Sequence, residues 1–432
     1  MKKIIEPNPA KVETEFTDAL LTGCGGWSVL ARLAKKLGLL RQLSECVRVK
    51  TRARGASDGE VLWSLVASLS AGNGSLSDLD ALRADAVGKR LLGLRRAPSG
   101  RRAGEWLSRL GKSEVRALLG VARGFAKRVA PDVVSHEVSE KGYVPVFVDG
   151  TGIEVDGALF EGAGKLYDGR RGYWLHGVFV GGLWASGRLR RGGVDVAGGW
   201  RGQLEHDVAP LLPEGAPVWL RADNAYYRGK LVEFCRERGW DYSISLTDDR
   251  KRGPVLDVLE GLPESAWEDI GMGEQATFSL HRPEGWEEQW YVVVRKLVEG
   301  RQKVLIPAHT VILVSRNDLP LKELVRRHRG KQGQENAFKG PLVELGLHHP
   351  PCRGYRANQA FYACGQLAQL LLVAMQYGLL PKAARKHGLR PLVRHAVRTV
   401  ARLVRTGRRQ VLRFAKNNFR LDWLYWCAVR LE

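Results

Sequence analysis

Two short strand-like segments constrain this chain more than any other feature, because each of them stops at an aspartate. The continuous apolar run VPVFV fills positions 144–148 and leads directly into Asp149, and PVWLRA, apolar but for Arg221, fills 217–222 and leads into Asp223. Continuous apolar runs of this length read as strands buried inside a sheet. An ionised carboxylate at the end of such a strand needs water, a partner or a cation, since a bare buried charge is costly. TGIEVDG continues the first strand, and YWLHGVFVGGLWASGRLRRGG reads as two further strands joined by a glycine-containing turn. RGQLEHDVAPLLP and RGKLVEFCRERG read as helices, and WDYSISL as another strand. The order β-β-β-α-β-α-β predicts an α/β fold, a mixed β-sheet with flanking helices.

On either side the character changes. Residues 16–130 carry helical periodicity (DGEVLWSLVASLSAG and SEVRALLGVARGFAKRVA are examples), broken by SAGNGSLSD and RRAPSGRR. An α-helical domain over 1–135 is expected to bind DNA or dimerise. The sheet region should occupy 140–246, a β-rich insertion 247–316, a second part of the core 317–375, and a basic helical region 376–432. The longest apolar stretch, from Phe361 to Leu380, holds Gln366, Gln369 and Gln376, so it reads as a buried helix and not as a membrane span.

The net charge is +22, from 68 Lys and Arg against 46 Asp and Glu. An excess of that size implies a polyanionic partner, because each cation that neutralises a phosphate releases a condensed counterion. Six cysteines occur without C-x-x-C pairs or zinc-finger spacing, so buried thiols in a reducing cytosol are expected in place of disulfides or structural zinc. The first residues, MKKIIEPNPAKVETEF, contain no apolar stretch of the signal-peptide kind.

A third carboxylate, Glu335, lies in RRHRGKQGQENAFKG, which should be largely helical. Phosphodiester cleavage by two divalent metals, ~3.5–4 Å apart, needs a small set of convergent carboxylates with positions left open for water and phosphate. Asp149, Asp223 and Glu335 can converge only through a folded sheet. Taken singly, each has an ordinary reading: Asp149 as a turn residue in DGTG, Asp223 as a helix cap, and Glu335 as a surface residue paired with Lys331 or Lys339.

Three blocks carry a resemblance. DGTGIEV, LRADNAYYRGKLVEFCRERG and HRGKQGQENAFKG resemble, in that order, the signature blocks of bacterial insertion-sequence transposases of the DDE class, nearest the insertion-sequence 1380 group, which has a β-strand insertion before the final Glu. LYDGRRGYWLHGVFV and CRGYRANQAFYACGQLAQLL also look like that group, and the likeness covers about residues 140–375. It implies a ribonuclease H-like core with Asp149, Asp223 and Glu335 as catalytic, metal-binding residues for two Mg²⁺ or Mn²⁺ ions. The chain departs from such enzymes in the last block: His328 stands at the usual Tyr place, Lys331 at the Arg place and Leu342 at the Lys place.

DNA contacts are expected around that block and in the basic tail. Gln332, Glu335, Asn336 and Lys339 share one helical face, and Lys331 lies beside it. No acid occurs between Glu344 and Asp422, a stretch in which Arg394, Arg398, Arg402, Arg405 and Arg409 would form one helical stripe beside Val393, Val397, Val400 and Val404. Like charges at that spacing repel, and a phosphate backbone would relieve them. Arg95, Arg96, Arg101 and Arg102 form a second cluster, expected in a loop. Trp286, in the turn-like PEGW, could stack on an unpaired base, whereas Trp290 within QWYVVV reads as core.

The resulting expectation is a transposase that cuts double-stranded DNA at the terminal inverted repeats of its element and joins the freed 3′-hydroxyl to target DNA. It would work as a homodimer holding two ends, in the bacterial cytoplasm on the nucleoid and without a membrane. Two rivals stay open: a ribonuclease H-like nuclease or resolvase without strand transfer, and a decayed, non-catalytic DNA-binding repressor.

Overall fold

The computed structural model describes residues 17, 19–52, 54–299, 302–303, 308–330 and 338–432. Lys331, Gln332, Glu335 and Asn336 lie outside the described residues.

Helices dominate the N-terminal part: α1 (Trp27–Lys36), α2 (Leu39–Glu45), α3 (Asp58–Ser70), α4 (Asp78–Ala84), α5 (Ala86–Leu91), α6 (Gly100–Leu107) and α7 (Lys112–Lys141). Their starts are written into the sequence. Ser57 accepts from the Glu60 N–H while the Glu60 carboxylate returns to the Ser57 backbone, a reciprocal cap at the head of α3. Asp85 caps α5 and Ser99 caps α6. A boundary at 135 falls inside α7. The buried row Val129, Ala130, Val133, Val134 and Glu137 carries that helix on, under the sheet.

Among the described residues, ten strands form one sheet. A short β1 (Leu21–Thr22) lies elsewhere, and the sheet is built from β2 (Val144–Glu154), β3 (Gly164–Lys165), β4 (Arg171–Val180), β5 (Leu183–Arg190), β6 (Val218–Ala222), β7 (Asp241–Leu246), β8 (Glu268–Gly271), β9 (Glu274–His281), β10 (Gln289–Lys296) and β13 (His309–Val314). A two-stranded ladder, β11 (Val298–Glu299) with β12 (Gln302–Lys303), precedes β13. The order β5-β4-β2-β6-β7 has an antiparallel meander on one side, with β6 and β7 parallel to β2 on the other. That is the ribonuclease H-like arrangement expected from the sequence. The strands of 247–316 do not make a sheet of their own: β13 pairs antiparallel with the edge of β7, and β10, β9 and β8 follow outward.

The main core joins the N-terminal helices to the sheet through one long helix, Tyr355–Gly378, whose residues are buried nearly throughout. A smaller apolar cluster, including Trp219, Val292, Ile312 and Leu324, lies under the helix Leu321–Arg329. Gln366, Gln369 and Gln376 of the long helix bond backbone. Gln366 donates to the Trp184 and Ala185 carbonyls at 3.0 and 3.1 Å. Gln369 accepts from Trp184 N–H at 3.1 Å and donates to Gly182 O at 2.7 Å, and Gln376 donates to Ala384 O at 2.9 Å. No helix of the described residues is long and apolar enough to cross a membrane.

The basic tail departs from expectation. Arg394 lies in a π-helical turn, Val393–Val397, and Arg398 ends it. The chain then turns extended: Arg402 and Arg405 lie on β14 (Ala401–Thr406), and Arg409 begins β15 (Arg409–Phe414). The five arginines therefore do not form one helical stripe. Three causes act together. Valine and threonine at 397, 399, 400 and 404 favour extended backbone. Gly407, at φ 59, opens a two-residue hairpin turn. Finally, β1 supplies a partner strand, with Leu21 opposite Arg402. Arg101 and Arg102 are likewise not in a loop: they open α6 and pair with Glu105 at 3.0 and 2.7 Å.

Candidate active site

The parallel register of β2 and β6 aligns Val148 with Ala222. One residue further on, Asp149 and Asp223 stand side by side where β6 ends, on strands separated by about 4.8 Å. Asp149 is half-buried and Asp223 exposed. Asp149 accepts from the Gly150 N–H at 2.7 Å. Asp223 caps the turn Asn224–Tyr226 by accepting from Ala225 N–H at 3.0 Å, so its ordinary capping role is real and coexists with its place at the strand end. Asn224 then accepts from Thr247 N–H at 3.3 Å, fastening the turn to the end of β7.

Side chains that the sequence did not single out as site residues surround the pair. Tyr226 is fully buried, and its hydroxyl has no hydrogen-bond partner among the described residues. Burial raises its pKa well above the usual phenol range, and the Asp149 and Asp223 charges push the same way. His176, opposite Gly150 on β4, has its ring centroid 5.7 Å from that of Tyr226. Burial lowers the His176 pKa to about 3, and Arg190 adds to the effect. Arg228 donates to Asp195 at 2.8 Å, tying the loop after β5 to the turn after Asp223. In sequence, Tyr226 stood inside the block LRADNAYYRGKLVEFCRERG but had no role of its own there, and Asp195 carried no periodicity or motif signal; only the turn and the loop crossing bring them to the site.

The approach of the third block is visible at its last residues. Gly177 is the β4 partner of Asp149, and a Cβ there would sit 2.6 Å from the ring of Phe338. Phe338 also packs edge-on against Phe179, with ring centroids 4.9 Å apart. Cross-strand partners share a side of the sheet, so Phe338 lies on the side toward which Asp149 points. Lys339 is exposed. His328, at the family's Tyr place, is buried and hydrogen-bonded to Ser245 Oγ at 2.9 Å.

Trp286 is half-buried and stacks on Tyr227 with ring centroids 4.9 Å apart, four residues beyond Asp223. Trp290 packs edge-on against Phe278 within the small cluster. Two adjacent carboxylates with hard oxygen donors fit a divalent cation such as Mg²⁺. No cluster of three potential ligands occurs among the described residues, and Glu335 is not one of those residues.

A ribonuclease H-like sheet with Asp149 inside its first core strand and Asp223 just past its fourth fits an enzyme of phosphoryl transfer on nucleic acid. The chain belongs to the family described as transposase DDE domain group 1, whose model matches residues 7–432. DNA transposition by DDE chemistry is thus its activity, and enzymes of this family use divalent metal ions. No curated protein matches by sequence. Among solved structures, the chain is similar to a piggyBac transposase in a synaptic complex with hairpin DNA, with 10% identity and a TM-score of 0.46 over 87% of this chain and 79% of that one.

Proposed function

We propose that Asp149, Asp223 and Glu335 are the catalytic triad, and that they hold two Mg²⁺ or Mn²⁺ ions. The observation that carries this reading is the parallel register, which sets two aspartates from distant parts of the sequence next to one another. The seat of Phe338 over Gly177 supports the third member, because Glu335 stands only three residues earlier in the sequence. When bound, the cations would stabilise charge on the attacking and leaving oxygens of the phosphodiester. The chain's own part is positioning: the middle of β2 and the end of β6 fix two carboxylates, and the Asp195–Arg228 tie holds the neighbouring loop against the turn.

In this reading water opens the phosphodiester at the terminal inverted repeats, and the released 3′-hydroxyl then attacks target double-stranded DNA. Lys331, Gln332, Asn336 and Lys339 would grip the backbone beside the cut. Trp286, supported from behind by Tyr227, would stack on an unpaired base. Arg394, Arg398, Arg402, Arg405 and Arg409 would contact DNA from the C-terminal hairpin and the turn before it. There Arg402 faces Arg413 directly across the strands, a like-charge pair that a phosphate would relieve. A homodimer holding two ends, membership of the insertion-sequence 1380 group and work on the bacterial nucleoid belong to the same proposal.

The test uses Asp149→Asn, Asp223→Asn and Glu335→Gln in the full chain with Mg²⁺. Each variant should lower end cleavage and strand transfer by at least ~10³-fold while duplex binding in EDTA stays at the wild-type level. Wild-type cleavage by any one of them removes that residue from the triad.

A further inference from the structure

We infer that a basic groove in the N-terminal helical part is a preformed seat for the sugar–phosphate backbone of duplex DNA. The groove has a volume of about 1090 Å³ and is lined only by residues between Lys50 and Arg109, none of them from the sheet that carries Asp149 and Asp223. Nine lysines and arginines line it against a single carboxylate, Glu105, which Arg101 and Arg102 already occupy. Arg52, Arg54, Arg83 and Arg109 are exposed and have no ion-pair partner among the described residues.

The walls are held by bonds that use up the local acids on backbone and ring groups. On one side, Glu60 accepts from the backbone N–H groups of both Arg95 and Arg96, at 3.0 and 3.1 Å. That fixes the loop while leaving the Arg95 side chain 88% exposed. These bonds, with those from Ser57, hold the Glu60 carboxyl below the usual range against the opposing effect of burial. On the other side, the Lys50 ammonium donates to Arg54 O at 2.7 Å and to Ala56 O, which curls the loop of Arg52 and Arg54 around it. Asp58 accepts from the Trp106 indole at 2.6 Å. The groove's cations are therefore left in excess and pre-oriented, an arrangement that costs electrostatic repulsion unless an anion lies between the walls.

The lining is dominated by cations, the chemistry of a phosphate backbone. Among the described residues Trp106 is its one aromatic, and it is buried and offers no stacking surface to a base. The inference takes the DNA-transposase activity as the reason for choosing DNA among polyanions. It does not depend on the triad assignment.

The experiment measures binding of the full chain in EDTA to an A·T-rich and a G·C-rich duplex across a salt series, by fluorescence anisotropy. The probe set also includes phosphatidylserine vesicles. Two double variants, Arg52→Gln with Arg54→Gln and Arg95→Gln with Arg96→Gln, are compared with wild type and with their Arg→Lys counterparts. Each Gln pair should weaken both duplexes equally, by about tenfold or more near 0.1 M salt, and lower the log–log salt slope by about 2. The Lys pairs should keep the wild-type slope. Unchanged duplex binding by either soluble Gln pair overturns the inference, as does a loss confined to one duplex, or a loss of vesicle binding with duplex binding intact. If one Gln pair fails to fold, the other pair and the Lys series decide. Asp149→Asn separates the two proposals, since it should abolish cleavage and leave this binding untouched.

Discussion

At the scale of single residues, the site is organised around groups that are not catalytic carboxylates. His176 is the clearest case. Its folded pKa, about 3, lies below the ordinary 6.5, so the native state holds the ring neutral while the unfolded chain takes up a proton. The stability this provides is fully present above about pH 6.5 and is lost as the pH falls toward 3. His176→Phe should therefore flatten the fall in the urea midpoint between pH 7 and pH 4 relative to wild type. Parallel curves for the two proteins over that window would contradict the assignment. Asp207 shows the opposite solution to burial: Arg123, Arg188 and Ser186 all bond to it, and the charge is kept by pairing.

At the scale of elements, the long helix Tyr355–Gly378 works as a clamp, because its glutamines complete the backbone bonding of the turn between β4 and β5. Gln369→Leu leaves the buried Trp184 N–H without that partner and removes the bond to the Gly182 carbonyl. It should cost about 1–3 kcal/mol in equilibrium unfolding, and an unaltered midpoint would show that the turn satisfies itself. This helix and the strand segments leading into Asp149 and Asp223 were legible in the sequence, because burial leaves a mainly apolar run whose type its length decides. The basic tail was not. Arginines spaced by three and four fit a helical face, but the strand pairing with β1 is a contact between the two ends of the chain, and no local window contains it. The place of Trp286 over Tyr227 was half legible: the turn PEGW could be read, but not the ring it leans on.

At the scale of the whole molecule, the two ends of the chain share one body. β14 completes β1, Leu403 N–H donates to Leu20 O at 2.8 Å, and Arg32 on α1 donates to Leu431 O at 2.8 Å. Trp423 and Cys427 of the terminal helix Leu421–Leu431 are buried in the N-terminal assembly. A chain stopped after Arg398 should melt earlier than the full chain and become open to limited proteolysis between residues 19 and 47. An unchanged digestion pattern there would mean that the helical part stands without its tail.

The pairing of β13 with β7 has a further consequence. The strands of residues 247–316 cover the flank of the sheet that carries Asp149, so they cannot be treated as a removable accessory. A shortened enzyme lacking them would bare the hydrogen-bonding groups along Asp241–Leu246, with Tyr242, Ile244 and Leu246 at hand, and such a rim recruits strands from other molecules. Any lineage that gained or lost this segment had to solve a solubility problem at the same step.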